Sequence, residues 1–158
     1  NNLEESGTTT SSWETLETAS TDYTNSSKNL SVDGDSLVIS GRFVSEARGN
    51  TRVRLNGSDV LGVLNHGFYA TNINAIEYNI EINRLDSTHV VCVTKVVNYQ
   101  DTGFNYAVIG SNASYKQTIV VPDLASNNLT ITAEGDALAA TADEIVLEYF
   151  SNKIYKKI

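Results

Sequence analysis

The chain has 158 residues, 41% of them hydrophobic, which suffices for one packed domain and is too apolar for a wholly disordered segment. Its formal charge of −8 offers no Lys/Arg field to displace counterions from nucleic acid, and no apolar run reaches bilayer length, so neither nucleic acid nor membrane insertion is expected. A single Cys allows no internal disulfide, a single Pro excludes a Pro-rich stalk, and the lack of Met fits a processed or excised fragment that starts at Asn1.

Residues 1–12, NNLEESGTTTSS, carry almost nothing to bury and read as an N-terminal arm or linker, leaving residues 13–158 for the domain. Trp13 is the first large anchor. WETLET alternates as an edge strand, with Trp13, Thr15 and Glu17 on one side and Glu14, Leu16 and Thr18 on the other. Leu30 and Val32 then lead into Asp33-Gly34-Asp35, and Leu37, Val38, Ile39, Phe43 and Val44 lead out. Asp-Gly between apolar strands is a turn signal, because such turns need a positive φ. The two aspartates suggest calcium, but the further oxygen ligands and closing Glu of a twelve-residue calcium loop are missing. The turn reading is therefore preferred.

Residues 51–56 form a strand with Val53 and Leu55 inward and Arg52 and Arg54 outward, and Asn56-Gly57 is the best two-residue hairpin signal of the chain. The middle of the sheet is expected at residues 75–98. There Ile76, Tyr78, Ile80 and Ile82 fall on one face, and Glu77, Asn79, Glu81 and Asn83 on the other. A polar turn at residues 85–88 leads to a return strand, 90–97, whose β-branched run predicts burial on both sides. Its Cys92, between Val91 and Val93, reads as a small buried hydrophobe.

Residues 99–115 carry Tyr99, Phe104, Tyr106 and Tyr115 among Asn, Gly and Ser, the composition of many recognition loops and equally of rings capping a core. Residues 116–121 and 128–133 are strands, and residues 144–158 a last one. In it Ile145, Leu147 and Tyr149 oppose Val146, Glu148 and Phe150. Asn29-Leu30-Ser31-Val32 before Asp33-Gly34-Asp35 is echoed by Asn128-Leu129-Thr130-Ile131 before Glu134-Gly135-Asp136, and reads as one turn solution used twice. Eight or more short strands, spaced by turns and without a convincing helix, predict an all-β fold: a single antiparallel β-sandwich, jelly-roll-like, with an extended N-terminal arm.

No catalytic constellation emerges. His66 and His89 have no Cys, His or carboxylate partner at zinc spacing, and no Ser sits in a G-x-S-x-G elbow. Glu77 and Glu81 share a strand face, but acids are ordinary on a wet face. The expectation is no enzyme, no cofactor and no metal. Several N-x-S/T sequons, at Asn25, Asn56 and Asn112 among others, follow from a composition rich in Asn, Ser and Thr.

The order D-G-D-x-L-x-I-x-G, then N-T-R-V-R-L-N-G, then I-E-Y-N-I-E-I-N-R-L and a closing E-I-V-L-E-Y resembles the β-sandwich domains of tailed-bacteriophage virion proteins, of tail-fibre, head-fibre or capsid-decoration type. The likeness spans roughly residues 13–150 and rests on turn chemistry and strand alternation. It lacks a Trp near the central strand and carries a longer Tyr/Asn-rich stretch at 99–115. The resemblance implies a homotrimer on the virion surface, joined to other virion proteins through the N-terminal arm, with loops facing a host surface glycan or protein and no shared catalytic residues.

The contact residues expected for a receptor or glycan are Phe68, Tyr69, Tyr99, Phe104 and Tyr106. Those expected at the subunit interface are Trp13, Val146 and Phe150, because both faces of the last strand need cover. The alternative is a carbohydrate-binding module of a secreted bacterial protein, which would use the same aromatics as a sugar platform.

Overall fold

The computed structural model describes residues 5–9, 12–22, 29–45, 49–66, 74–98, 113–124, 128–137 and 143–158. Among them are ten strands and no helix: β1 Glu5–Thr9, β2 Glu14–Asp22, β3 Ser36–Ser45, β4 Gly49–Leu55, β5 Ser58–His66, β6 Asn74–Asp86, β7 His89–Asn98, β8 Ala113–Val120, β9 Asn128–Ala137 and β10 Asp143–Tyr155. They form a six-stranded sheet in the order β1-β10-β3-β6-β7-β8 and a four-stranded sheet in the order β2-β9-β4-β5. Every pairing is antiparallel.

The order has a simple origin. With β7 and β8 set aside, the chain is a long two-stranded ribbon in which β1 pairs β10, β2 pairs β9, β3 pairs β6 and β4 pairs β5. Rolling that ribbon brings β10 against β3 and β9 against β4, which closes two four-stranded sheets. This is the eight-stranded jelly roll. Strands β7 and β8 are added beyond β6 and widen one sheet to six strands.

The core lies between the sheets. In β4 the inward Val53 and Leu55 alternate with half-buried Arg52 and Arg54, as expected for a strand with one dry face. From the larger sheet come Leu37, Ile39, Phe43, Ile76, Tyr78, Ile80, Ile82, Val90, Cys92, Leu147 and Phe150, all buried. Phe43 and Tyr78 stack with centroids 5.3 Å apart. The Tyr78 ring crosses over Gly41, where a Cβ would lie 2.8 Å from Tyr78 Cε1, so only glycine leaves room for it.

Two corners are fastened by polar residues. At the first, the fully buried Asp35 carboxylate accepts from the N–H groups of Ser31 (3.0 Å), Val32 (2.9 Å) and Lys157 (2.8 Å) and pairs with Lys156 Nζ. Arg84 holds the same corner, donating to Asp33 Oδ1 at 2.9 Å and to the Leu30 carbonyl at 2.7 Å. The turn reading of Asp33-Gly34-Asp35 holds: Gly34 has φ 98°, and Asp35 is spent on protein donors. At the second corner Asn56 and Gly57 have φ 47° and 82°, the two positive values of a tight hairpin turn.

Several expectations change. Residues 5–9, assigned to an arm, are an edge strand with Glu5 opposite Leu147 and Thr9 opposite Asp143. Main-chain pairing needs no apolar side chains, so a Ser/Thr-rich stretch can be an edge. In β7 only one face is buried: Val90, Cys92, Thr94 and Val96 point inward, Val91 and Val93 are half-exposed and Lys95 is exposed. Glu134-Gly135-Asp136 is no turn but runs straight within β9, where a Cβ on Gly135 would lie 3.2 Å from Leu16 and 3.3 Å from Ile145. That glycine is chosen by close packing between the sheets.

Candidate functional site

The last strand carries the feature that shapes the outer face. Between Leu147 and Tyr149 the register of β10 against β3 shifts by one residue: Leu147 faces Phe43, while Tyr149 faces Arg42. Glu148 is therefore the extra residue of a β-bulge, and the inward/outward alternation restarts one position late. Glu148 and Tyr149 both point outward. Phe150 turns into the core at 1% exposure.

Arg42 answers the bulge directly, with Nη1 2.5 Å from Glu148 Oε1. Tyr149 reaches further. Its hydroxyl donates to Glu77 Oε1 at 3.2 Å, although Tyr149 is on β10 and Glu77 on β6, with β3 between them. Two strand spacings of about 4.8 Å separate those backbones, so the ring has to lean over β3 and lie along the sheet. On the next row Asn79 Nδ2 donates to Ser40 Oγ at 2.8 Å. Lys95 pairs opposite Asn79 on β7 and is exposed.

These side chains, Ser40, Glu77, Asn79, Lys95 and Tyr149, line an open groove of about 240 Å³ with Tyr78 in the strand beneath. It combines one aromatic face, one carboxylate, one ammonium, an amide and a hydroxyl. Such a set offers donors and acceptors of both signs around an apolar surface. It suits a small polar ligand without strong net charge. Glu77 and Glu81 are four residues apart on one strand, about 13 Å at 3.3 Å per residue. That exceeds the roughly 5–9.5 Å at which two carboxyls share glycosidic chemistry.

The expected site residues divide. Phe68, Tyr69, Tyr99, Phe104 and Tyr106 lie outside the described residues. Trp13 is half-buried on the outer face of the four-stranded sheet, where Arg52 lies 3.9 Å over its ring. Val146 points outward from the other sheet, opposite Val44. Phe150, expected at a subunit contact, is a core residue instead, because the bulge reverses its face. The three interface candidates thus occupy two opposite surfaces and the interior. Tyr149, counted as inward by strict alternation, is the residue that sequence reasoning missed. Nothing in E-I-V-L-E-Y-F marks the extra residue, which shows only in the register against β3.

Other polar clusters are occupied in holding the fold. On the four-stranded sheet Arg52 pairs with Glu134 at 3.1 Å and Arg54 with Asp59 at 2.7 Å. A wider depression of about 490 Å³ lies at Asn56, Gly57, Asp123, Asn128 and Thr130. The Asn56 amide there is already spent, donating to the Pro122 carbonyl at 2.9 Å and accepting from Thr130 N–H at 2.8 Å. Asp86 accepts from Thr88 N–H and meets His89 Nδ1, both at 2.9 Å, and these bonds hold its carboxyl at about 2. This is turn chemistry. Burial pushes the Cys92 thiol up to about 12. Among the described residues no group of three His, Cys, Asp or Glu is placed to hold a metal ion. No protein-family model matches the chain, and no curated protein matches it in sequence.

Proposed function

We propose that this chain is a non-enzymatic surface domain of a bacteriophage virion, a fibre or capsid-decoration jelly roll. It assembles as a trimer, joins other virion proteins through its N-terminal segment, and turns loops and an open sheet face toward the host. The observation that supports this reading is the strand order, because two-sheet rolls of this kind recur in viral coats and in lectins. The charge of −8 suits a domain displayed in many copies, since like-charged surfaces stay apart.

A threefold ring is heterologous: two different patches meet at each contact. In this reading Trp13 on one sheet and Val146 on the other serve as its two halves. The groove beside Tyr149 favours a second reading, a carbohydrate-binding module of a secreted bacterial protein, which would act as a monomer. Light scattering on a gel-filtration column separates the two. A mass of three chains is expected, with Val146→Asp shifting it toward one chain; a clean monomer would replace the virion reading by the module.

A further inference from the structure

We propose that the groove beside Tyr149 binds one neutral sugar unit of a glycan, stacked on the Tyr149 ring and held through its hydroxyls by Glu77, Asn79, Lys95 and Ser40. The proposal rests on the reading of this domain as a surface that meets a host or a polysaccharide, and it assigns a sugar contact to the sheet face beside Tyr149.

The chemistry and the geometry of the groove lead to it. A sugar ring has an apolar C–H face and an equatorial belt of hydroxyls, each both donor and acceptor. Tyr149, leaning across β3 toward Glu77, offers the flat apolar partner for that face. Around it Glu77 accepts, Lys95 donates, and Asn79 and Ser40 do both. With both a carboxylate and an ammonium on its rim the groove selects against ions, since phosphate would meet Glu77 and a cation would meet Lys95.

The groove is also held ready. Asn79 bonds Ser40, Tyr149 bonds Glu77, and Arg42 bonds Glu148, so these side chains lose little freedom when a ligand arrives. The bulge that aims Tyr149 outward interrupts a strand flanked by partners on both sides, and such interruptions typically re-aim a side chain beside a functional site. At about 240 Å³ the groove is smaller than sites for drug-sized molecules, so it fits a single ring and leaves the rest of a chain in solvent.

The test is a titration of the ¹⁵N-labelled full chain, followed by NMR. The probes are the methyl glycosides of glucose, galactose, mannose and N-acetylglucosamine, with glucuronate and inorganic phosphate as charged comparisons. At least one neutral glycoside should shift the amides of Glu77, Asn79, Lys95 and Tyr149, with a Kd on the order of a millimolar. Tyr149→Ala should weaken binding roughly threefold to tenfold, the loss expected for one stacked ring. Tyr149→Phe should keep most of it, and Lys116→Ala, on the same sheet but outside the groove, all of it.

The proposal falls if no neutral glycoside shifts those amides, if only glucuronate or phosphate does, or if a folded Tyr149→Ala binds like the parent chain. Its failure is separate from that of the virion reading. A trimer that binds no sugar removes the groove and keeps the virion; a monomer that binds sugar does the reverse.

Discussion

Asp35 shows how one side chain can secure an end of a sandwich. It is fully buried and accepts three main-chain N–H groups, two from its own turn and one from Lys157 near the last residue, while Lys156 supplies the opposite charge. Burial works to raise its carboxyl, but the hydrogen bonds from Lys156, Lys157 and Val32 outweigh it and hold the group below its ordinary 3.8. The folded chain therefore binds this proton less readily than the unfolded one. The stability from Asp35 is complete above about pH 4 and is lost as pH falls through the depressed folded value. Asp35→Asn should lower stability at pH 7 by roughly 2–4 kcal/mol, since an amide cannot replace a charged acceptor of several donors. Urea melts at pH 7 and pH 3 check this. The gap between parent and variant should narrow at the lower pH, and an equal midpoint at pH 7 would count against the role.

In β10 a single inserted residue decides which side chains are core and which are surface. Alternation counted from Ile145 places Phe150 outward; the bulge at Glu148 places it inward and sends Tyr149 out. Substitutions should follow the structure. Phe150→Asp should unfold the chain, costing at least about 4 kcal/mol for a lost core ring and a buried charge. Circular dichroism should show that loss at every protein concentration. Val146→Asp, on the outward face, should leave the fold intact and alter only assembly. If Phe150→Asp instead gave a folded chain of lower mass, the bulge would be misplaced and Phe150 would belong to a subunit contact. The other elements were easier to foresee. Asn56-Gly57, the alternation of Val53 and Leu55 with two arginines, and the apolar face of β6 are local patterns, and each became the strand or turn its period implies.

For the whole molecule the useful probe is Cys92, buried in β7 with its thiol pushed up to about 12. Labelling by a thiol reagent at pH 8 should be negligible in the folded chain and should follow global opening, so its rate in rising urea measures the stability of the entire roll. Fast labelling without denaturant would show that β7 is reached by local opening. Closure explains why β7 is protected although it lies near one side of the larger sheet: β6 and β8 pair with both its edges, and its inward face meets the common core.

From its residues alone the chain determined an all-β sandwich, its main turns and the apolar face of its central strand. Those features depend on side-chain period and turn chemistry, which act within a few residues. Tertiary structure decided the rest. The jelly-roll order, the recruitment of a polar stretch as β1, the straight passage through Glu134-Gly135-Asp136 and the outward turn of Tyr149 all depend on which strand lies alongside. Register and packing are contacts between residues far apart in the chain. Local composition carries little trace of them, and that is why the groove was not visible until the sheets were assembled.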